Sequence, residues 1–153
     1  MSTDVLARAL FHAETVALVG SSADPNKNTG RPQRFLVAHG FQGRIIPINP
    51  NRDEVQGLPA YPTLADAPSP VDHAFIMVPT QHVPGAIADC ADAGVPLCTI
   101  YTDGFAETGS AGKVLQEEIV QIARNVGMRL IGPNSMGIID TRSRMTLTIN
   151  AFL

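Results

Sequence analysis

The chain has few of the residues that mark several common functional classes. Among its 153 residues there is no tryptophan, and two tyrosines and six phenylalanines do not suggest a platform for stacking nucleic-acid bases. Eleven basic residues stand against 14 acidic ones, and the net charge of −3 argues against nucleic acid or an anionic membrane surface as a partner. The two cysteines, Cys90 and Cys98, form no C-x-x-C pair, and no nearby histidine cluster completes a metal site.

Targeting signals and membrane spans are also missing from the sequence. No apolar run approaches the roughly 20 residues that a bilayer requires. Asp4 and Arg8 interrupt the apolar stretch at the N-terminus, so a secretory signal is not indicated. We therefore expect a cytoplasmic protein, and we expect Cys98, which lies in an apolar run, to be buried.

What the chain does contain is a regular alternation of strand-like and helical patterns. The predicted strands are 15–20, 44–49, 73–79, 96–102 and 128–131. The predicted helices are 4–11, 31–39, 83–93 and 111–126, and Gly40, Gly94 and Gly127 follow the last three as left-handed C′ residues. Apolar residues make up 44% and charged residues 16%, which suits a sheet covered on both faces. The pattern predicts a doubly wound, mainly parallel α/β sheet.

Two segments fit this alternation less well. The proline-containing stretch 51–69 is expected to be a loop, with at most one helical turn at 63–67. Residues 144–153 alternate apolar and polar residues and end on apolar ones. We expect one domain over 1–143, followed by a strand or tail over 144–153 that either docks locally or leads into a following domain. The second interpretation is favoured, because an unpaired apolar strand invites association.

Short polar residues, glycine and proline are concentrated where the five predicted strands end. In a doubly wound sheet the ligand crevice lies outside the carboxyl ends of the strands. The five ends are 20–22, 49–52, 78–80, 102–105 and 132–135. Their residues let a ligand approach the backbone closely and offer no acid–base pair, so no catalytic or metal-binding residue is predicted.

The segment 15–30 is the most informative of these. An apolar run ends on Gly20 and opens into a small polar loop before a helix, an arrangement that can hold a phosphorylated ligand. A dinucleotide fingerprint needs two further glycines, but Ser22 and Pro25 stand in their places. At the end of the second strand, Asn49 replaces the acid of NAD sites and Arg52 lies just beyond. This favours a ligand with an extra phosphate on or near its ribose, and an NAD(P)-linked oxidoreductase domain stays an alternative.

Five sequence blocks, in order, resemble the CoA-binding domain of NDP-forming acyl-CoA synthetases, relatives of the succinyl-CoA synthetase α-subunit. The blocks are Val-Gly-Ser-Ser-x-Asp-Pro-x-Lys from Val19, Gly-x-Ile-x-Pro-Ile-Asn-Pro-x-x-Asp-Glu-Val-x-Gly from Gly43, Val-Pro-Thr from Val78, Gly-Phe-x-Glu-Thr-Gly from Gly104, and Leu-Ile-Gly-Pro-Asn-Ser-Met-Gly from Leu130. Together they cover about residues 12–142. The resemblance implies a Rossmann-like fold that binds coenzyme A in an extended pose.

The resemblance also implies which residues contact coenzyme A. The phosphate-binding residues would be Gly20, Ser21, Ser22 and Lys27. The adenosine end would be bordered by Asn49, Pro50 and the residues that follow. The pantetheine path would be lined by Val78, Pro79 and Thr80, with Thr102, Asp103 and Gly104 toward the thiol. Many relatives carry lysine directly after the Asn-Pro pair, whereas here Arg52 is expected to supply that charge.

In that family the phosphorylated histidine lies in the next domain, and an ATP-grasp domain handles the nucleotide. The resemblance thus implies catalytic and ATP-grasp partners outside these 153 residues and no catalysis by this chain alone. Of the four histidines, only His82 is predicted near the crevice. We expect a CoA-binding N-terminal domain of an acid–thiol ligase; the alternative is a stand-alone CoA-binding regulatory or carrier module. The apolar tail is also compatible with a partner surface in cis or in trans, including a homo-oligomer.

Overall fold

The computed structural model describes residues 3–151 and confirms the alternation of strands and helices. The helices are α1 (Thr3–Phe11), α2 (Arg31–Ala38), α3 (Val83–Asp92) and α4 (Ser110–Val126). The strands are β1 (Thr15–Val19), β2 (Arg44–Ile48), β3 (Glu54–Val55), β4 (Leu58–Pro59), β5 (His73–Ile76), β6 (Leu97–Ile100), β7 (Arg129–Ile131), β8 (Gly137–Asp140) and β9 (Met145–Thr148). Short 3₁₀ turns occupy Thr80–His82 and Ala106–Thr108. The predicted C′ glycines have left-handed backbones, with φ values of 73° at Gly40, 70° at Gly94 and 72° at Gly127.

Five strands form one parallel sheet in the order β2-β1-β5-β6-β7. β1 lies in register with a strand on each side, and Val16 pairs with Ile45 of β2 and with His73 of β5. The strand order therefore reverses at β1, and the next strand outward on the other side is β5. In sheets of this topology the crevice for ligands opens at the carboxyl ends of the strands, at this reversal.

The two faces of the sheet bury separate apolar clusters. Ala17 and Val19 of β1 lie in the cluster under α3 and α4, whereas Val16 and Leu18 lie in the cluster under α2. This alternation follows from the two-residue period of a strand, which sends neighbouring side chains to opposite faces. A sheet buried on both faces explains why most residues of its strands are apolar.

The C-terminal segment forms an antiparallel hairpin, β8–β9, on the face of the sheet that α2 covers. Met145 and Leu147 are fully buried there with Leu36 of α2. Residues 145–149 thus dock locally, and the boundary predicted at residue 143 falls in the turn between the two strands. The last two residues of the predicted tail, 152–153, lie outside the described residues, and a following domain stays a prediction.

The segment 51–69 contains a small hairpin, β3–β4, that the sequence did not predict. Its strands have two residues each, too short to produce a recognisable apolar period. After the hairpin, Tyr61 pairs with Ile48 and extends the sheet beyond β2. In place of the helical turn expected at 63–67, a single turn is closed by the Ala67 N–H and the Leu64 carbonyl at 3.2 Å.

Both cysteines are free and buried, as predicted for Cys98. They lie in the apolar cluster under α3 and α4. The contact with the Cys90 side chain and the loss of solvent raise the pKa of the Cys98 thiol, which keeps the thiol protonated and unreactive. No helix within residues 3–151 has the length and apolar character needed to cross a membrane.

His73 fastens α1 to the sheet at the end opposite the crevice. Its Nδ1 lies 3.2 Å from the Ala9 carbonyl and its Nε2 lies 2.8 Å from the Thr99 hydroxyl. A carbonyl only accepts, so Nδ1 carries the proton and Nε2 accepts from Thr99. Burial lowers the pKa of His73 from 6.5 to about 4, which outweighs the opposing effect of the bond to Ala9.

The lowered pKa makes stability depend on pH. Between about pH 6.5 and pH 4 the unfolded chain binds a proton at His73 that the folded chain does not, so stability is complete above this window and falls as pH falls through it. We expect a loss of about 2 kcal/mol between pH 7 and pH 5 from this group alone. Urea unfolding of the wild type, His73→Asn and His73→Gln at both pH values measures it. Variants with the same pH dependence as the wild type would contradict the assignment.

Candidate functional site

A cavity of about 600 Å³ opens at the carboxyl ends of β1, β2 and β5. Its walls are the end of β1, residues 49–51, residues 62–64 and one side of α3. The lining is mainly apolar, and the polar side chains on it are those of Asn49, Asn51, Thr63, His82 and Asp89. A concave, largely apolar site with a few polar groups is the usual form of a small-molecule pocket.

The α3 side of this cavity is lined by His82, just before the helix, and by Gly85, Ala86, Asp89 and Cys90 of the helix itself. His82 lies at the crevice, as predicted. Gly85 and Asp89 were not among the predicted site residues, because residues on one face of a helix form no continuous sequence motif. The only signal was a glycine in the first turn of a helix that follows a crevice strand. A side-chain Cβ built on Gly85 meets no atom within 4 Å, so the helix backbone itself forms this wall.

A second cavity, of about 420 Å³, lies beyond the ends of β5 and β6. Met77, Val78 and Pro79 line both cavities, so the two lie side by side along the crevice, and together they are called the groove below. The predicted residues Thr80, Thr102 and Asp103 line the second cavity, together with Asn134 from the loop after β7. Asn134 belongs to the fifth sequence block and was not among the predicted contacts.

The ends of β5 and β6 are tied together by two threonines. The Thr80 hydroxyl donates to the Asp103 carbonyl at 2.9 Å, and the Thr102 hydroxyl donates to the Val78 carbonyl at 2.6 Å. Gly104, with φ of 93°, lies directly against Thr80, where a Cβ would be 2.9 Å from the hydroxyl oxygen. These residues therefore shape the second cavity through their backbone contacts.

Glu107 stabilises the same turn. Its carboxylate accepts the N–H groups of Gly104 at 2.7 Å and Phe105 at 3.1 Å. The hydrogen bond from its own backbone N–H, followed by those from Phe105 and Gly104, lowers the pKa of Glu107, because each favours the charged form. These hydrogen bonds thus fix the backbone of the loop after β6, although the Glu107 side chain is exposed to solvent.

The predicted phosphate-binding segment spans residues 20–30, of which 22–30 form the loop, and glycine is required at both ends of the segment. Gly20 has φ of 89°, and a Cβ there would lie 3.0 Å from the Met77 carbonyl carbon. A Cβ on Gly30 would overlap the carbonyl oxygen of Asp24 across the loop. The Ser22 N–H bonds to the Thr29 carbonyl at 3.1 Å and closes the loop at its neck.

Ser21 and Asn49, both predicted ligand contacts, hold this loop in place. Ser21 is buried, and its hydroxyl donates to Oε1 of Gln33 at 3.4 Å. The Asn49 side chain donates to the Ser21 carbonyl at 2.9 Å, which joins the end of β2 to the start of the loop. Hydrogen bonds already engage both side chains, so any contact of Ser21 with a ligand would come from its backbone.

The predicted contacts divide into those that line the groove and those that surround it. Gly20, Asn49, Pro50, Val78 and Pro79 line the first cavity; Thr80, Thr102 and Asp103 line the second. Neither lining includes Ser21, Ser22, Lys27, Arg52 or Gly104. The side chains of Lys27 and Arg52 are exposed, and neither forms an ion pair within residues 3–151.

Known proteins share both the sequence and the fold. The family described as a CoA binding domain matches residues 14–141. Acetate–CoA ligase [ADP-forming] II of Archaeoglobus fulgidus is 36% identical over 140 residues, which are 89% of this chain and 20% of that protein. The α subunit of acetate–CoA ligase [ADP-forming] II of Pyrococcus furiosus is 38% identical over 138 residues, 90% of this chain and 30% of the subunit.

A solved structure gives the same result. The dinucleotide-forming acetyl-coenzyme A synthetase 1 of Ca. Korarchaeum cryptofilum, in complex with phosphate and ADP, superposes with a TM-score of 0.88 and 41% identity. The match covers 94% of this chain and 30% of that one, so the chain spans about a third or less of these relatives. The chain therefore belongs to the CoA-binding-domain family and is homologous to the N-terminal part of ADP-forming acyl-CoA synthetases.

Proposed function

We propose that the groove binds coenzyme A, with adenine in the first cavity, the phosphates beside residues 22–30 and the pantetheine thiol in the second cavity. The observation that carries this proposal is the pair of adjoining cavities joined at Val78 and Pro79. An extended ligand with a flat base at one end and a narrow chain at the other matches this shape. The first volume, about 600 Å³, lies in the range of small-molecule pockets.

The chemistry of each part of the groove supports this orientation. Leu64 and Val78 offer apolar surface for the faces of adenine, and Asp89 at the rim can accept a hydrogen bond from its amino group. Arg52 follows directly on the residues that line this cavity, and we assign it to the 3′-phosphate on the ribose. Lys27, on the loop, is assigned to the diphosphate.

In this proposal the chain is the CoA-binding part of an NDP-forming acid–thiol ligase acting in the cytoplasm. Binding along the groove fixes the thiol next to residues 102–104, where a partner domain or subunit would deliver the activated acyl group. The three relatives named above support this, because each is a ligase or synthetase of which this chain matches a minor part. The phosphorylated histidine and the ATP-grasp domain would belong to that partner.

An NAD(P)-linked oxidoreductase domain is the weaker alternative. No acidic side chain lines the first cavity at the end of β2, where Asn49, Pro50 and Asn51 stand. NAD sites use an acid at this position to bind the ribose hydroxyls. Asn49 is moreover engaged with the loop, since its amide donates to the Ser21 carbonyl.

Gly85 provides a test of the adenine site. A leucine side chain at this position would project into the first cavity without meeting the fold at its Cβ. We expect Gly85→Leu to weaken CoA binding at least roughly tenfold, whereas Gly85→Ala, the matched control, binds nearly normally and gains up to about 1 kcal/mol of stability from helix propensity. Calorimetric titration with CoA and thermal unfolding measure both effects. Normal CoA affinity in a folded Gly85→Leu variant would place adenine elsewhere.

The two exposed cations provide a second test, with CoA, dephospho-CoA and NADH as ligands. We expect Arg52→Gln to weaken CoA binding roughly tenfold and to leave dephospho-CoA unchanged, because only CoA carries the 3′-phosphate. Lys27→Gln is expected to weaken both ligands alike, and Arg124→Gln on α4, a distant cation, neither. Equal wild-type affinity for CoA and dephospho-CoA would contradict the role of Arg52. Binding of NADH without binding of CoA would refute the proposed function.

A further inference from the structure

The side chain of Gln56 bridges the two ends of the phosphate-binding loop. Its Nε2 donates to the Ser22 carbonyl at 2.8 Å and to the Gly30 carbonyl at 3.0 Å. Ser22 and Gly30 are the first and last residues of the loop, 34 and 26 positions from Gln56 in the sequence. One amide group thus uses both of its hydrogens to fix how far apart the ends of the loop lie.

Gln56 itself is held by a rigid support. It is the first turn residue of the β3–β4 hairpin, whose Val55 is fully buried. The buried Gln33 of α2 donates from its Nε2 to the Val55 carbonyl at 2.7 Å. The hairpin is therefore fixed on the side of α2, and Gln56 reaches the loop from a position that does not depend on a ligand.

The backbone at Gln56 does not favour glutamine. Its φ is 47° and that of Gly57 is 81°, the left-handed pair of a two-residue hairpin turn. Asparagine and glycine suit the first position of such a turn better than a longer side chain. Asparagine, however, is one methylene shorter, so its reach toward the loop is reduced. The residue present is thus explained by its two contacts with the loop and not by the turn.

The contact with Ser22 fixes the direction of one backbone N–H. In a planar trans peptide the carbonyl and the N–H point in opposite directions. The Ser22 carbonyl points to Gln56, so the N–H of Ala23, in the same peptide unit, points away from the hairpin. Among residues 3–151 no group accepts a hydrogen bond from the Ala23 N–H, whereas the Ser22 N–H is taken by Thr29.

We propose that Gln56 is a positioning residue that orients the Ser22–Ala23 peptide so that the Ala23 N–H donates to a phosphate of coenzyme A. This inference rests on the proposed function and names the backbone donor and the side chain that sets it. An N–H held in place before binding avoids the entropic cost of ordering the loop when the ligand arrives. Gln56 acts without touching the ligand, through the Ser22 and Gly30 carbonyls.

The test compares Gln56→Asn and Gln56→Gly with the wild type. Both substitutions suit the left-handed turn and remove the bridge, so the melting temperature is expected to hold or rise while CoA binding weakens roughly tenfold. Glu54→Gln, on the exposed side of the same hairpin, is the matched control and is expected to bind CoA normally. The readouts are calorimetric titration with CoA and thermal unfolding.

A second readout follows the Ala23 amide by NMR in ¹⁵N-labelled protein. Saturating CoA is expected to shift this amide strongly in the wild type and far less in Gln56→Gly, which a purely structural role of Gln56 would not produce. Wild-type affinity in both Gln56 variants, or an Ala23 amide that bound CoA leaves unmoved, overturns the inference. A wild-type chain that does not bind CoA refutes the proposed function itself, so the two failures are distinguishable.

Discussion

The close approach of Gly20 to β5 is the constraint on which the crevice depends. The carbonyl carbon of Met77, directly after β5, lies only 3.0 Å from the place of a Cβ on residue 20, and φ of 89° turns the chain away from β1 at this point. Only glycine satisfies both conditions at little cost. β1 and β5 stay paired up to their ends at Val19 and Ile76. The loop and α2 therefore lie on one face of the sheet, and the first cavity opens on the opposite face, beside α3.

Around this point, side-chain amides hold the backbone of the loop. Asn49 bonds to the Ser21 carbonyl and Gln56 bonds to the carbonyls of Ser22 and Gly30. The carbonyl groups are therefore turned toward protein donors, an arrangement that suits an anionic ligand, since carbonyl oxygens would repel phosphate and N–H groups attract it. This framework supports the proposed phosphate site, although the loop lacks a glycine-rich fingerprint. The neutral side-chain amides of Asn49 and Gln56 fix the orientation of peptide units in this loop. Additional glycines in the loop would leave its backbone more freedom.

The sequence predicted the five sheet strands, the four helices and the three helix-ending glycines, because buried strands and amphipathic helices have strong periods. It did not reveal the β3–β4 hairpin, whose strands are too short for a period, nor the hydrogen bonds of Gln56, which join residues 26 and 34 positions apart. The resemblance indicated loops that line or border the two cavities but not what each side chain does within them. Ser21 and Asn49 brace the loop, and the Gly85 wall of α3 became visible only once the helix was placed against β5.

We propose that one groove, running from α3 past Gly20 to the end of β6, holds coenzyme A. A crystal structure of the chain with bound CoA tests it most directly. We expect adenine between Gly85 and residues 49–51, a phosphate oxygen within hydrogen-bonding distance of the Ala23 N–H, and the thiol beside residues 102–104. Adenine outside the first cavity, or phosphates that contact no backbone N–H of the loop, would contradict it.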